Sequence, residues 1–155
     1  MRVGDLNGPQ LTLRQATVAD AEFAYQVLNR TMREYVEGTF GLWSEVEVRA
    51  KAFADAAAGR SQVIEFHDQA IGIMTVTWTE THLQLEQLFV LPEHQRRGIG
   101  TELLEGLLSH ARELALPVRL RVLRVNPAKG LYERHGFRVT SEEPARFYMQ
   151  WAPQA

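Results

Sequence analysis

Gln95-Arg96-Arg97-Gly98-Ile99-Gly100 lies between an apolar run and an amphipathic helix pattern. The run upstream carries Leu85, Leu88, Phe89, Val90 and Leu91. Downstream, Ile99, Leu103 and Leu107 adjoin Leu104, Leu108 and Ala111 as stripes at helical spacing. A strand, a two-glycine turn and a helix together present free backbone N–H groups to an anion. The first N–H groups of a helix lack intrahelical acceptors, and the aligned peptide dipoles add positive charge there. Glycine removes the Cβ that would hold a ligand off the backbone. Arg97, Gly98, Ile99, Gly100 and Thr101 are therefore the expected N–H donors to a phosphorylated ligand. Gln95 is expected to aim its amide at the same phosphates. Arg96 and Arg97 would add charge, although one of them reads equally well as a solvated surface arginine.

Spacing narrows the ligand. A dinucleotide fingerprint needs a third glycine where Leu103 stands, and no Gly-Lys-Ser/Thr follows as a P-loop requires. Taken alone, Q-x-x-G-x-G also fits a plain strand-to-helix connection. A second motif lies downstream: Asn126-Pro127-Ala128, then Leu131-Tyr132-Glu133-Arg134-His135-Gly136-Phe137. With both motifs in this order, the chain resembles the GCN5-related N-acetyltransferase (GNAT) family. The resemblance runs from about Leu11 to Trp151, in the manner of a bacterial-type single-domain member.

The resemblance implies acetyl-CoA as co-substrate, with its pyrophosphate on the Gln95–Gly100 turn. It implies that Leu88, Phe89 and Val90 supply backbone contacts to the pantetheine arm, like an added strand. It implies Tyr132 as the general acid near the cofactor sulfur, since a phenol of pKa ~10 can donate to a leaving thiolate. A half-buried tyrosine packed on Phe137 is the structural alternative. Asn126 would bond the pantetheine or cap its own helix, two compatible roles. Lys129 is a candidate for the ribose phosphate.

The chemistry also needs a base, because an alkylamine of pKa ~10.4 arrives protonated. Glu86 lies where the strand turns apolar, and a desolvated carboxylate would have its pKa raised, which suits a base. A glutamate on a solvated face or paired to an arginine is the ordinary alternative. Family members often carry a base at this strand position, and many use water wires instead.

The remaining chain gives the order βααβββαβαββ, a single-domain, mixed and mostly antiparallel sheet with helices on both faces. Strands are expected at Leu11–Arg14, Gln62–Phe66, Ala70–Thr79, His82–Leu91 and Val118–Val125, with a closing hairpin of Phe137–Thr140 and Arg146–Trp151. Helices are expected from Val18 to Val36 with Gly38 as breaker, from Ser44 to Ala57, from Gly98 to Leu114 and from Asn126 to His135. Leu83 and Leu85 keep one strand phase while Leu88 and Val90 keep the other. That slip reads as a β-bulge near Glu86 and Gln87, or as a strand buried on both faces.

The acceptor pocket is expected from the connection between the first two helices and from the last strands. Tyr35, Phe40 and Trp43 cluster there, with Trp78, Phe147 and Tyr148 facing them, although such aromatics are more often core. Glu34 and Glu37 would attract a cationic amine, or simply solvate a helix end. These features favour a small amine over a protein acceptor. A protein acetyltransferase and a non-catalytic acyl-CoA sensor are the alternatives, the latter disfavoured because a pure binder needs neither Tyr132 nor a strand glutamate.

Composition bounds the rest. The 155 residues suit one domain that buries roughly two-thirds of its unfolded surface. A net charge of −2 argues against broad nucleic-acid binding, and without cysteine there is no disulfide framework or thiol nucleophile. The five histidines lack ligand spacing, so no metal is expected. Met1–Gln10 carries no long apolar segment and no run nears the ~18 residues of a membrane span, so no membrane association and a cytoplasmic location are expected. A homodimer through Phe147, Tyr148 and Trp151 of the final hairpin is expected by fold-level analogy alone.

Overall fold

Two capping signals start the first layer. In this computed structural model, which describes residues 10–154, β1 (Leu11–Gln15) leads into a short 3-10 turn that runs on as α1 (Ala21–Phe40). The N-terminal residues read above as lacking an apolar segment lie, up to Pro9, outside the described residues. The Thr17 N–H donates to the Asp20 carboxylate at 2.8 Å, and Arg14 braces the same carboxylate. α2 (Glu45–Ala57) begins where the Glu47 N–H donates to Ser44 Oγ at 3.2 Å. α1 runs past the expected stop near Val36. Gly38 is accommodated within it, and the chain turns only at Gly41, whose φ of 83° suits a helix end. Tyr35 and Phe40 are therefore helix residues and not part of a loop.

The strands β2 (Ser61–Phe66), β3 (Gln69–Trp78), β4 (Leu83–Val90), β5 (Val118–Leu123), β6 (Arg138–Glu142) and β7 (Arg146–Trp151) complete one sheet. Its order is β1-β2-β3-β4-β5-β7-β6, and β4–β5 is the one parallel pairing among the described residues. α3 (Ile99–Leu114) buries all six residues of its predicted stripes against one sheet face. Each of the buried leucine and isoleucine side chains contributes roughly 1.5–3 kcal/mol. α1 and α2 cover the opposite face of β3 and β4 through Val27, Leu28, Ala52, Ile73 and Phe89. α4 (Lys129–Arg134) is shorter than expected and starts after Asn126. β5 likewise ends at Leu123, not Val125, and β6 is shifted to Arg138–Glu142.

The strand slip is a bulge. Thr75 pairs with Gln87 and Val76 with Leu85, which leaves Glu86 as the extra residue of β4. Side chains of β3 and β2 hold it: Thr75 Oγ1 donates to Gln87 Oε1 at 2.8 Å and lies 3.0 Å from Ser61 Oγ, while Thr77 Oγ1 donates to Glu86 Oε2 at 2.6 Å. Thr75 and Ser61 are buried and their hydroxyls satisfied, as interior polar groups must be.

The hairpin aromatics do not form the exposed surface expected for dimerisation. Trp151 is buried under Arg112, and Phe147 packs on the core. Antiparallel pairing with β5 turns these side chains alternately inward.

β3 and β4 approach too closely at Gly72 for any side chain, because a Cβ there would lie 2.2 Å from the Phe89 carbonyl oxygen. Gly72→Ala should cost at least ~2 kcal/mol in urea unfolding. A loss below ~0.5 kcal/mol, the range of innocuous surface changes, would contradict that close approach.

Candidate functional site

The parallel pairing of β4 and β5 is brief. Leu83 pairs with Val118 and Gln84 with Arg119, and then the strands diverge. Leu85–Phe89 and Leu120–Leu123 become the walls of a wedge-shaped cleft of about 210 Å³. Met32, Val36 and Phe40, spaced four apart on α1, roof it, and Asn126, Tyr132 and Arg146 also line it. A second cleft of about 300 Å³ runs from Leu88 and Val90 along the Gln95–Thr101 turn to Leu131 and Arg134. Leu88 and Tyr132 line both clefts, so the two meet there.

The turn has the shape its sequence implied. Arg96 and Gly98 take positive φ of 64° and 79°, and two such reversals in three residues form a concavity of N–H groups. Gly98 precedes α3, so the N–H groups of Ile99, Gly100 and Thr101 have no intrahelical acceptor. A Cβ at Gly98 would meet nothing within 4 Å, so the space before the turn is open. His94 lines the same cleft with its Nδ1 buried and unpartnered among the described residues. An orphaned ring nitrogen, free N–H groups and the exposed Arg96 together fit a phosphorylated ligand. Arg97 is also exposed but is not among the residues lining the cleft. Gln95 is engaged elsewhere: its amide donates to the Val90 carbonyl at 2.8 Å, closing off the orphan oxygen at the end of β4.

Of the three strand residues, Leu88 and Val90 turn toward α3 and the second cleft, while Phe89 packs beneath α1 and α2. From Leu85 onward the edge of β4 toward β5 has no strand partner among the described residues. Tyr132 is buried and stands edge-on to Phe137 at 5.6 Å between ring centroids. Burial pushes its phenol up to about 12. Its hydroxyl has no hydrogen-bond partner among the described residues, so the donor remains available at the junction of the clefts. Asn126 Oδ1 accepts the Ala128 N–H at 2.9 Å, and its Nδ2 lies 3.8 Å from Met32 Sδ. Asn126 therefore shapes the turn before α4 and reaches across to α1.

Lys129 is already engaged. Its Nζ is 3.1 Å from Glu133 and 4.6 Å from the Phe147 ring centre, and Arg124 covers that ring at 4.3 Å. Phe147 is thus clasped between two cations beside α4 and does not line the cleft. Arg134 does line the second cleft.

Glu86 is exposed, not desolvated, because the bulge turns it off the buried face. It lines the wedge and two further clefts, one against Trp43 and Lys51, the other over Arg119, Arg121 and Tyr148. The expected aromatic cluster is divided. Phe40 roofs the wedge, whereas Trp43 donates to the Tyr25 hydroxyl at 3.1 Å and lines the neighbouring groove. Tyr35 lies on another face of α1 with Glu34 and Glu37, near Pro92 and Gln95. Helical periodicity separates them, since positions 35 and 40 do not share a face. Trp78 packs edge-on against His110 of α3, 5.1 Å away, at the far end of β3.

Sequence reading missed Met32, Val36, Leu131, Arg121 and Arg146. The spacing of Met32, Val36 and Phe40 was a usable signal for one helical face. Nothing local distinguished Arg121 or Arg146 from other surface arginines.

Comparison with known proteins gives the family and the fold. Residues 25–137 match the model of the acetyltransferase (GNAT) family. The uncharacterized N-acetyltransferase YafP of Escherichia coli (strain K12) is 31% identical over 78 residues, 45% of this chain and 48% of that protein. The chain thus matches about half the length of this curated relative. Among solved structures, an acetyltransferase from Thermus thermophilus superposes with a TM-score of 0.75 at 19% identity, over 92% of this chain and 97% of that one. The PaiA N-acetyltransferase of Thermoplasma acidophilum, in complex with coenzyme A, gives 0.69 at 19% identity over 92% and 98%. The ribosomal-protein-S18-alanine N-acetyltransferase of Escherichia coli gives 0.70 at 21% identity over 94% and 96%. At such identities the likeness is one of fold. With the family match spanning most of the chain, the protein belongs to the GNAT acetyltransferase family, which uses acetyl-CoA as co-substrate.

Proposed function

We propose that this protein moves an acetyl group from acetyl-CoA to a primary amine of a small molecule, by direct attack in a ternary complex. One observation carries the reading: two clefts meet at Tyr132, one ending in an anion-shaped turn and the other bordered by Glu86. The turn and His94 would take the phosphates, and the unpaired edge of β4 the pantetheine arm. The thioester would then lie beside Tyr132, with the amine entering from the Glu86 side.

In the reaction, the amine nitrogen bonds to the thioester carbonyl carbon as the C–S bond breaks. Glu86, directly or through water, takes the proton that the nitrogen releases. Tyr132 gives its proton to the sulfur, and solvent resets both groups. Burial makes this phenol a weaker acid than free tyrosine, so it acts first as a hydrogen-bond donor to the charge developing on sulfur. The apolar roof of Met32, Val36 and Phe40 over the narrow wedge supports a small acceptor over a peptide. A cytoplasmic location accords with the chemistry, and no helix among the described residues is long and apolar enough to cross a membrane.

Tyr132→Phe should lower kcat by ~10²-fold or more while calorimetric acetyl-CoA binding stays unchanged. Undiminished turnover would remove Tyr132 from the chemistry. Glu86→Gln should be slow at pH 7 and recover toward pH ~10, where the amine deprotonates without help. A variant as fast as the parent at pH 7 would exclude Glu86 as base.

Tyr132 also sets a stability signature. Its folded pKa is raised above the unfolded value of ~10, so its contribution is fully present below pH ~10 and fades as pH rises through about 12. Urea unfolding of the parent should therefore lose ground against Tyr132→Phe between pH 10 and 11 but not between pH 8 and 9. Parallel pH profiles would contradict the buried, protonated phenol.

A further inference from the structure

The acceptor side of the wedge is cationic, the reverse of the acidic surround expected for a simple alkylamine. Glu34 and Glu37 lie elsewhere on α1, and Glu37 is paired with Arg33 at 3.3 Å. Arg121 and Arg146 take their place. Across the antiparallel β5–β7 ladder Arg121 pairs with Tyr148 and Leu123 with Arg146, so the two arginines are diagonal neighbours on one sheet face. Both line the wedge with Glu86, and Arg146 stacks on Phe40 at 5.7 Å. Arg121 and Glu86 also share the adjoining open cleft of about 590 Å³.

Neither arginine has an ion pair or a side-chain hydrogen bond among the described residues, whereas Arg14, Arg30, Arg49, Arg60 and Arg124 each hold a carboxylate. The chain's net charge is −2, so this local excess of positive charge is a matter of placement and not of composition. Two guanidinium groups lining one cleft repel until an anion comes between them. Their planar forks match a carboxylate in two-point contact.

We propose that the acceptor is an amine that also bears a carboxylate, an amino-acid-like zwitterion. Arg121 and Arg146 hold the carboxylate, while Glu86 faces the ammonium across the wedge. The inference rests on the acetyltransferase reading and names the substrate class for that same site. Arg121 and Arg146 are specificity residues and take no part in bond making.

The test measures thiol release from acetyl-CoA with L-amino acids against their carboxamides, beside calorimetric acetyl-CoA binding. A carboxamide amine deprotonates more readily, with a pKa near the ~7.7–8.0 of a peptide α-amino group, so amine basicity alone favours the amide. The expected result is a kcat/KM roughly 10- to 100-fold higher for at least one acid over its amide. Arg121→Gln and Arg146→Gln should erase that ratio by raising KM for the acid, with KM for the amide and acetyl-CoA affinity unmoved. Arg146→Lys should restore part of it. Equal rates for acid and amide, or a ratio that survives both substitutions, would overturn the inference. So would acetyl-CoA binding without transfer to any amino acid, or a preference for phosphoethanolamine over every carboxylate. Failure to bind acetyl-CoA would instead overturn the acetyltransferase reading beneath it.

Discussion

The site depends on one extra residue. Glu86 has no partner on β3, and its insertion changes the phase of β4 halfway along. Before the bulge, Leu83 and Leu85 face α3; after it, Leu88 and Val90 do so again although the count has slipped by one. A strand without the bulge would point one of these pairs at α1 instead. The bulge also bends β4 away from β5 just after their two paired residues, and the wedge between them is the cavity. Thr75 and Thr77 hold the bulge from the neighbouring strand, so the device that opens the sheet is itself built into the core.

Around that wedge the molecule sorts its polar groups by use. Away from the clefts Arg14, Arg30, Arg33, Arg49, Arg60 and Arg124 are tied to carboxylates, and exposed pairs of this kind add little stability. The buried Asp55 is held by both Lys51 and Arg60. At the clefts the pattern is opposite: the Tyr132 hydroxyl, His94 Nδ1, Arg121 and Arg146 lack hydrogen-bond and ion-pair partners among the described residues. A folded chain leaves such groups unpaired at a cost of about 1–3 kcal/mol for each buried one. That cost is recovered when a ligand supplies the missing partner.

Much of this was legible in the sequence because it is written at short range. The two glycines of the turn, the stripes of α3 and the change of phase at Glu86 each reside within one element or at one junction. Local backbone chemistry dictates them whatever surrounds them. Helix ends were less legible. Gly38 looked like a stop, yet an exposed glycine costs a helix only ~1 kcal/mol and α1 runs through it to Gly41, where a left-handed turn is required. The aromatic cluster failed for a related reason: α1 turns Tyr35 and Phe40 onto different faces, and Trp43, beyond the turn at Gly41, goes to a neighbouring groove.

Element order, the anion-shaped turn and the family to which the chain belongs follow from the linear order of residues. Each is set by hydrophobic period, by glycine geometry or by a motif of fixed spacing. Strand pairing, by contrast, decided between a bulge and a doubly buried strand at Glu86. Which polar groups are spent and which remain free is settled only once the chain has folded. Gln95 is taken by Val90, Lys129 by Glu133 and Phe147, and Glu86 is turned out to solvent. Arg121 and Arg146, ordinary in sequence and 25 positions apart by their numbering, become neighbours through strand pairing. Partnership of this kind is a property of distance in space, and chain-local signals do not carry it.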